Sequence, residues 1–152
     1  MDQESTDTPR RDPADLIATA IEAEKKAAWF YGTMAEMTSD ASVQTTFKRL
    51  SNDETCHART LTELYVELTG HDVERAPAAA VEGQPDPFDF PSTSRRAALE
   101  FALKNEIRAA ELYQSQAAAS EEPRRAEIYR QLAETELGHA AFLRRQLGRR
   151  DS

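Results

Sequence analysis

Two Glu-x-x-His pairs carry the chemical interest of this 152-residue chain: Glu54 with His57, and Glu136 with His139. Residues three apart on a helix project from one face, about one turn apart. A further Glu stands 30 residues before each pair's own Glu, Glu24 and Glu106, and a Tyr follows each of those seven residues on, Tyr31 and Tyr113. The two sets belong to an internal repeat. Residues 16–68 align with 98–150 at an offset of 82 without a gap, and 11 of the 53 pairs are identical. Alanine and leucine recur in any two helices, so the weight falls on the matching Glu, Tyr and Glu-x-x-His positions. Leu50 and Leu61 flank the first Glu-x-x-His at helical spacing, and Leu132 and Leu143 flank the second. The carboxylates and imidazoles thus lie in apolar stripes that should turn inward. Four carboxylates buried together would repel each other and take up protons unless compensated. Two divalent cations balance their four charges and leave the imidazoles neutral. A mixed carboxylate–imidazole set suits iron or manganese, and the lack of thiolates opposes structural zinc.

These residues must be held by long helices. The length fits one domain, 39% of residues are hydrophobic, and five Gly with seven Pro are sparse. Four helical stretches are expected, over about 13–38, 40–69, 93–119 and 123–147. Asp12 is a plausible N-cap before Pro13, Ser92 before the third stretch, and Gly70 and Gly148 are placed as stops. The connections near Ser39 and Ser120 are short enough for helical hairpins. Residues 71–91, with four of the seven prolines, are a long crossover. Its 21 residues reach up to ~70 Å, against ~40 Å for a helix of 25 to 30 residues. Such a loop spans the bundle and lets the second and third helices run parallel, with Phe88 and Phe90 as candidates to pin it. Residues 1–12 and 149–152 are expected to be tails, the first disordered.

Composition excludes several classes. A net charge of −8, from 27 acids against 19 bases, opposes a nucleic-acid partner. The single cysteine, Cys56, excludes an internal disulfide or a metal site built from several cysteines of this chain. No apolar run reaches the ~18 residues of a membrane span, and the polar first dozen residues lack a secretory signal, so the expected location is cytoplasmic.

One Glu from each of two helices, with Glu-x-x-His from each of two others, is the di-metal arrangement of ferritin-like bundles. On these residues the sequence resembles the ferritin-like di-iron superfamily, and its rubrerythrin branch in particular. The likeness rests on Ala20–Glu24 with Phe30-Tyr31, Asp53–Ala58, Asn105-Glu106 with Leu112-Tyr113, and Glu134–Ala140, and covers about residues 13–148. It implies an all-α, ferritin-like four-helix bundle of two helical hairpins joined by a long crossover loop. It further implies two iron ions per subunit, with manganese as the alternative. Glu54 and Glu136 resemble carboxylates that bridge both metals. Glu24 and His57 would complete one metal's ligands, and Glu106 and His139 the other's. Tyr31 and Tyr113 match tyrosines that hydrogen-bond the ligand carboxylates. The chain departs from typical rubrerythrins in two ways. One cysteine cannot build their four-cysteine iron site, so electrons would come from an external donor. Ala109 stands where they tend to carry an extra Glu.

The resemblance implies a redox protein that reduces peroxide or O2, or oxidises Fe(II), and forms a homodimer or higher homo-oligomer. Iron storage using the same site as a ferroxidase is the alternative, and a non-redox or manganese-binding bundle the third. Of the remaining residues, Glu22 and Glu134 are expected on the surface and Phe47 and Tyr129 in the core. Trp29 and Phe30 are expected in the core or a dimer contact, and Cys56 as a small buried residue. Gly138 is expected at a close helix approach, and His71 in solvent.

Overall fold

The computed structural model describes residues 12–73 and 94–149. Four helices account for nearly all of them: α1 (Pro13–Met37), α2 (Ala41–Thr69), α3 (Arg95–Ala119) and α4 (Pro123–Gly148). There is no strand among the described residues. The boundaries follow from local chemistry. Asp12 accepts the Ala14 N–H with Pro13 at the first helical position, and Asp40 accepts the Ser42 and Val43 N–H groups. Glu122 does the same for Arg124 and Arg125, again with a proline following. These side chains satisfy N–H groups that have no partner within the helix. Gly70 ends α2 at φ 77°, a left-handed conformation that glycine adopts without a Cβ clash.

The third helix starts later than expected. Its cap is Ser94, whose hydroxyl accepts the Ala97 N–H at 3.2 Å. Ser92 and Thr93 lie outside the described residues. So do Phe88, Phe90, most of the expected crossover, and most of the two expected tails.

Helix α1 packs along α2, and α3 along α4; the closest backbone contacts between these hairpins run between α2 and α4. The core forms two apolar layers. One joins Ile17 and Ile21 of α1, Leu61 and Tyr65 of α2, Tyr113 of α3 and Leu132 of α4. The other joins Met34 of α1, Phe47 and Leu50 of α2, Leu99 of α3 and Phe142 and Leu143 of α4. The late half of α1 therefore meets the early halves of α2 and α3. This makes α2 and α3 parallel and places their connected ends at opposite ends of the bundle. Phe47 and Tyr129 are core residues.

Three expectations about single residues are corrected. Cys56 is exposed, because it lies roughly 200° around α2 from Glu54 at 100° per residue. Gly138 has the same offset from Glu136 on α4, faces solvent, and has no neighbour within 4 Å of a built Cβ. Phe30 takes the core place expected of it, while Trp29 beside it is 62% exposed, which leaves the dimer contact as its expected role. His71, expected in solvent, is half-buried with its ring edge-on to Tyr65 at 5.6 Å.

Gly138 keeps a helical backbone and open space, so Gly138→Ala should stabilise the fold by about 0.5–1 kcal/mol. The check is a urea midpoint that rises with an unchanged m-value; a lower midpoint would show that the added methyl meets an obstacle.

Candidate metal centre

Between the two apolar layers lies a polar one. Glu24, Glu54, His57, Glu106, Glu136 and His139 are all buried, none more than 7% exposed. Each helix contributes: α1 Glu24, α3 Glu106, and α2 and α4 one Glu-x-x-His each. The tertiary fold brings all six together. Glu22 is half-buried beside Lys25 and Glu134 is exposed, both away from this cluster.

The donor atoms form two overlapping quartets. Glu24, Glu54, His57 and Glu136 offer atoms within 4.8 Å of one another, and so do Glu54, Glu106, Glu136 and His139. Glu54 and Glu136 belong to both. His57 Nδ1 lies 2.7 Å from Glu136 Oε1, while His139 Nδ1 lies 3.0 Å from Glu54 Oε1. Of the four Glu, each imidazole's Nδ1 thus approaches most closely the one in the Glu-x-x-His of the opposite hairpin. The two oxygens of Glu136 face different histidines, Oε1 towards His57 and Oε2 towards His139 at 4.0 Å.

Fit to metal ions can be judged from what these atoms lack. One atom of each of the six residues is buried without a hydrogen-bond partner: Glu24 Oε2, Glu54 Oε1, His57 Nδ1, Glu106 Oε2, Glu136 Oε1 and His139 Nδ1. The short imidazole–carboxylate approaches do not have hydrogen-bonding angles. Unpaired buried polar atoms are rare because each costs ~1–3 kcal/mol. Six converging on one point, all of types that ligate divalent metals, suit two such ions.

The surrounding hydrogen bonds leave those six atoms free. Tyr31 donates its hydroxyl to Glu106 Oε1 and Tyr113 donates to Glu24 Oε1, each at 2.5 Å. Each tyrosine reaches from one hairpin to the other and holds one carboxylate oxygen, leaving the other without a hydrogen bond. Burial, followed by the charge of Glu106 for Tyr31 and of Glu24 for Tyr113, raises both phenols well above their ordinary range and keeps them proton donors. Nε2 of His139 lies 2.9 Å from Asp53 Oδ2. Donation there assigns the proton to Nε2 and leaves Nδ1 as a lone pair facing the cluster. Asp53 escaped the sequence reasoning. Its repeat partner, Thr135, instead donates to the Gln131 carbonyl of its own helix. Adjacency to Glu54 was the only available signal, since sequence spacing does not show that Asp53 reaches across to α4.

The carboxyls do not ionise alike without metal. Burial, with the charges of Glu24, Glu106 and Glu136, raises Glu54 well above the usual range. Burial, with the close approach of Glu106 and the charge of Glu24, pushes Glu136 up to about 12. Burial also works to raise Glu24, but the close approach of His57 and Glu54, the charge of His57 and the Tyr113 hydroxyl hold it low. Burial works to lower His139, and its contacts with Glu106 and Asp53 outweigh that and raise it. The shared carboxyls are thus the ones that burial makes hardest to ionise, which a dication at the cluster would reverse.

The fold is thus an all-α four-helix bundle whose buried Glu/His cluster, between its hairpins, could hold a metal ion. The family model for the ferritin-like domain matches residues 12–149, and the chain belongs to that family. Two solved structures share the fold. A hypothetical protein from Pyrococcus furiosus has a TM-score of 0.79 at 25% identity, covering 93% of this chain and 91% of its own. An uncharacterized conserved protein from Magnetospirillum magnetotacticum MS-1 has a TM-score of 0.66 at 23% identity, over 93% and 98% respectively. No curated protein matches the chain.

Two outcomes follow. Asp53→Ala should weaken metal binding about 10–100-fold while Thr135→Ala changes it little, as read by calorimetric titration of the metal-free protein. Equal effects would show that Asp53 does not orient His139. For pH, Glu54, Glu136 and His139 are raised, so each stabilises fully below its unfolded value, 4.5 for Glu and 6.5 for His, and loses this as pH rises towards the folded value. Glu24 is lowered and acts oppositely, but its window lies below pH 4.5. The metal-free protein should therefore melt at lower temperature at about pH 8 than at about pH 5.5. A flat profile would mean that the carboxyls are already ionised in the folded state.

Proposed function

We propose that this chain is a di-iron carboxylate redox protein of rubrerythrin-like type that binds two iron ions per subunit. Its activity is reduction of peroxide or O2, or oxidation of Fe(II). The observation that carries the reading is the set of six unpaired buried donor atoms, in two quartets that share Glu54 and Glu136. Glu24 and His57 would hold one ion, Glu106 and His139 the other, and Glu54 and Glu136 both. The carboxylate–imidazole set favours iron, with manganese next.

Two Fe(II) ions held there would supply the two electrons that a peroxide consumes. The protein supplies the rest. Tyr31 and Tyr113 hold Glu106 and Glu24 by one oxygen each and leave the other oxygen without a hydrogen bond. Asp53 fixes the tautomer of His139. The apolar layers above and below shield the cluster along the bundle axis and strengthen the charge interactions within it. With a single cysteine, Cys56, the reducing equivalents come from a separate donor or from Fe(II) itself.

Anaerobic Fe(II) titration should saturate at two ions per chain, and the loaded protein should oxidise faster with H2O2 than with O2. Glu54→Ala or Glu136→Ala should abolish paired binding, because each removes a ligand shared by both quartets. Wild-type saturation far below two ions, or an unchanged spectrum in either variant, would defeat the reading.

A further inference from the structure

Helices α1 and α3 make only sparse backbone contact, and the space between them is a cavity of about 410 Å³. Its floor is formed by Glu24, Glu54, Glu106 and Glu136. Its walls are mostly apolar, including Ala20, Ala27, Phe30, Phe101, Ala109 and Leu112. Its outer lining includes Lys26, Trp29 and Arg108, all exposed. Lys26 and Arg108 are related by the internal repeat, 82 residues apart, as are Ala27 and Ala109. The duplication has therefore placed a cation beside a small wall residue on both sides of one opening.

Size and polarity define what would fit. A water molecule's share of liquid volume is ~30 Å³, so the cavity is far larger than O2 or H2O2 needs. It lies within the ~300–1,000 Å³ of organic-ligand sites. The mouth carries positive charge, and Arg108 has no ion-pair partner among the described residues. Among the described residues, Lys26 and Arg108 are the only cations of the lining, and the walls below them are mostly apolar. An amphipathic anion is thus driven to one orientation, head at the mouth and apolar body within.

We propose that the α1–α3 cavity is a binding site for an amphipathic organic anion, a medium-chain carboxylate, with its carboxylate at Lys26 and Arg108 and its apolar chain directed at the Glu24–Glu106 floor. This goes beyond the di-iron reading and does not depend on it, because every group named belongs to the chain.

Trp29, the sole tryptophan, lines the cavity and reports on its occupancy. The test is titration of the metal-free full-length protein with decanoate below its micelle-forming range, following Trp29 emission, with decylammonium as the control of opposite charge. Decanoate should shift the emission saturably and bind at least ~10-fold more tightly than decylammonium. Ala109→Phe should fill the cavity and abolish the saturable shift, and Arg108→Glu should weaken decanoate binding several-fold. Circular dichroism verifies folding; if Ala109→Phe does not fold, the exposed Arg108→Glu decides. The proposal is overturned if decanoate gives no saturable shift, if decylammonium binds equally well, if folded Ala109→Phe still binds, or if Arg108→Glu binds like wild type. It is likewise overturned if Trp29 emission responds to protein concentration instead of decanoate, since a second copy would then cover the mouth.

Discussion

Six ionisable side chains in the middle of a hydrophobic core are the constraint on which this structure depends. Four carboxyls and two imidazoles are buried between apolar layers that would, by themselves, exclude them. Burying charge without compensation is costly enough that the groups would neutralise instead. Glu54 and Glu136 do so, holding their protons far above the usual carboxylate range. The rest of the bundle arranges the compensation. Each shared Glu approaches the His of the opposite hairpin, and each Tyr reaches across to the outer Glu of the opposite hairpin. The cluster is therefore also the main polar tie between two units that make few close backbone contacts.

The internal duplication explains the symmetry of that tie, and its exceptions show where the halves have diverged. The two tyrosine hydrogen bonds are equal in length, at 2.5 Å each. The outer support of the histidines is not. Asp53 meets His139, whereas the equivalent Thr135 turns back onto its own helix. The wall between α1 and α3 keeps small residues at Ala27 and Ala109 but differs at the mouth, where Trp29 is matched by Glu111. A symmetric ligand set thus sits in an asymmetric setting, and that asymmetry distinguishes the two quartets chemically.

Much of this was legible in the residues. The 3.6-residue rhythm, the capping side chains and the glycine after Thr69 place all four helices to within two residues, because those signals are local. The cap of α3 was not legible: Ser92 was expected, and only backbone geometry shows Ser94 reaching Ala97. Cys56 was misplaced for a related reason. A small thiol is usually buried, but on α2 the rotation set by the Glu residues turns it outwards.

What the sequence determined by itself was the periodic part: two repeats, four helices, and a Glu, a Tyr and a Glu-x-x-His on the inward face of each hairpin. These follow from helical geometry, which needs no knowledge of a partner. The tertiary structure alone decided how the hairpins meet. It set which oxygen of each Glu is held by a tyrosine and which is left free, that Asp53 serves His139, and that α1 and α3 stand apart to leave a cavity over the cluster. Those are contacts between residues 75 or more positions apart. Spacing along one helix cannot encode them, because they depend on the distance and rotation at which two hairpins settle when their side chains pack.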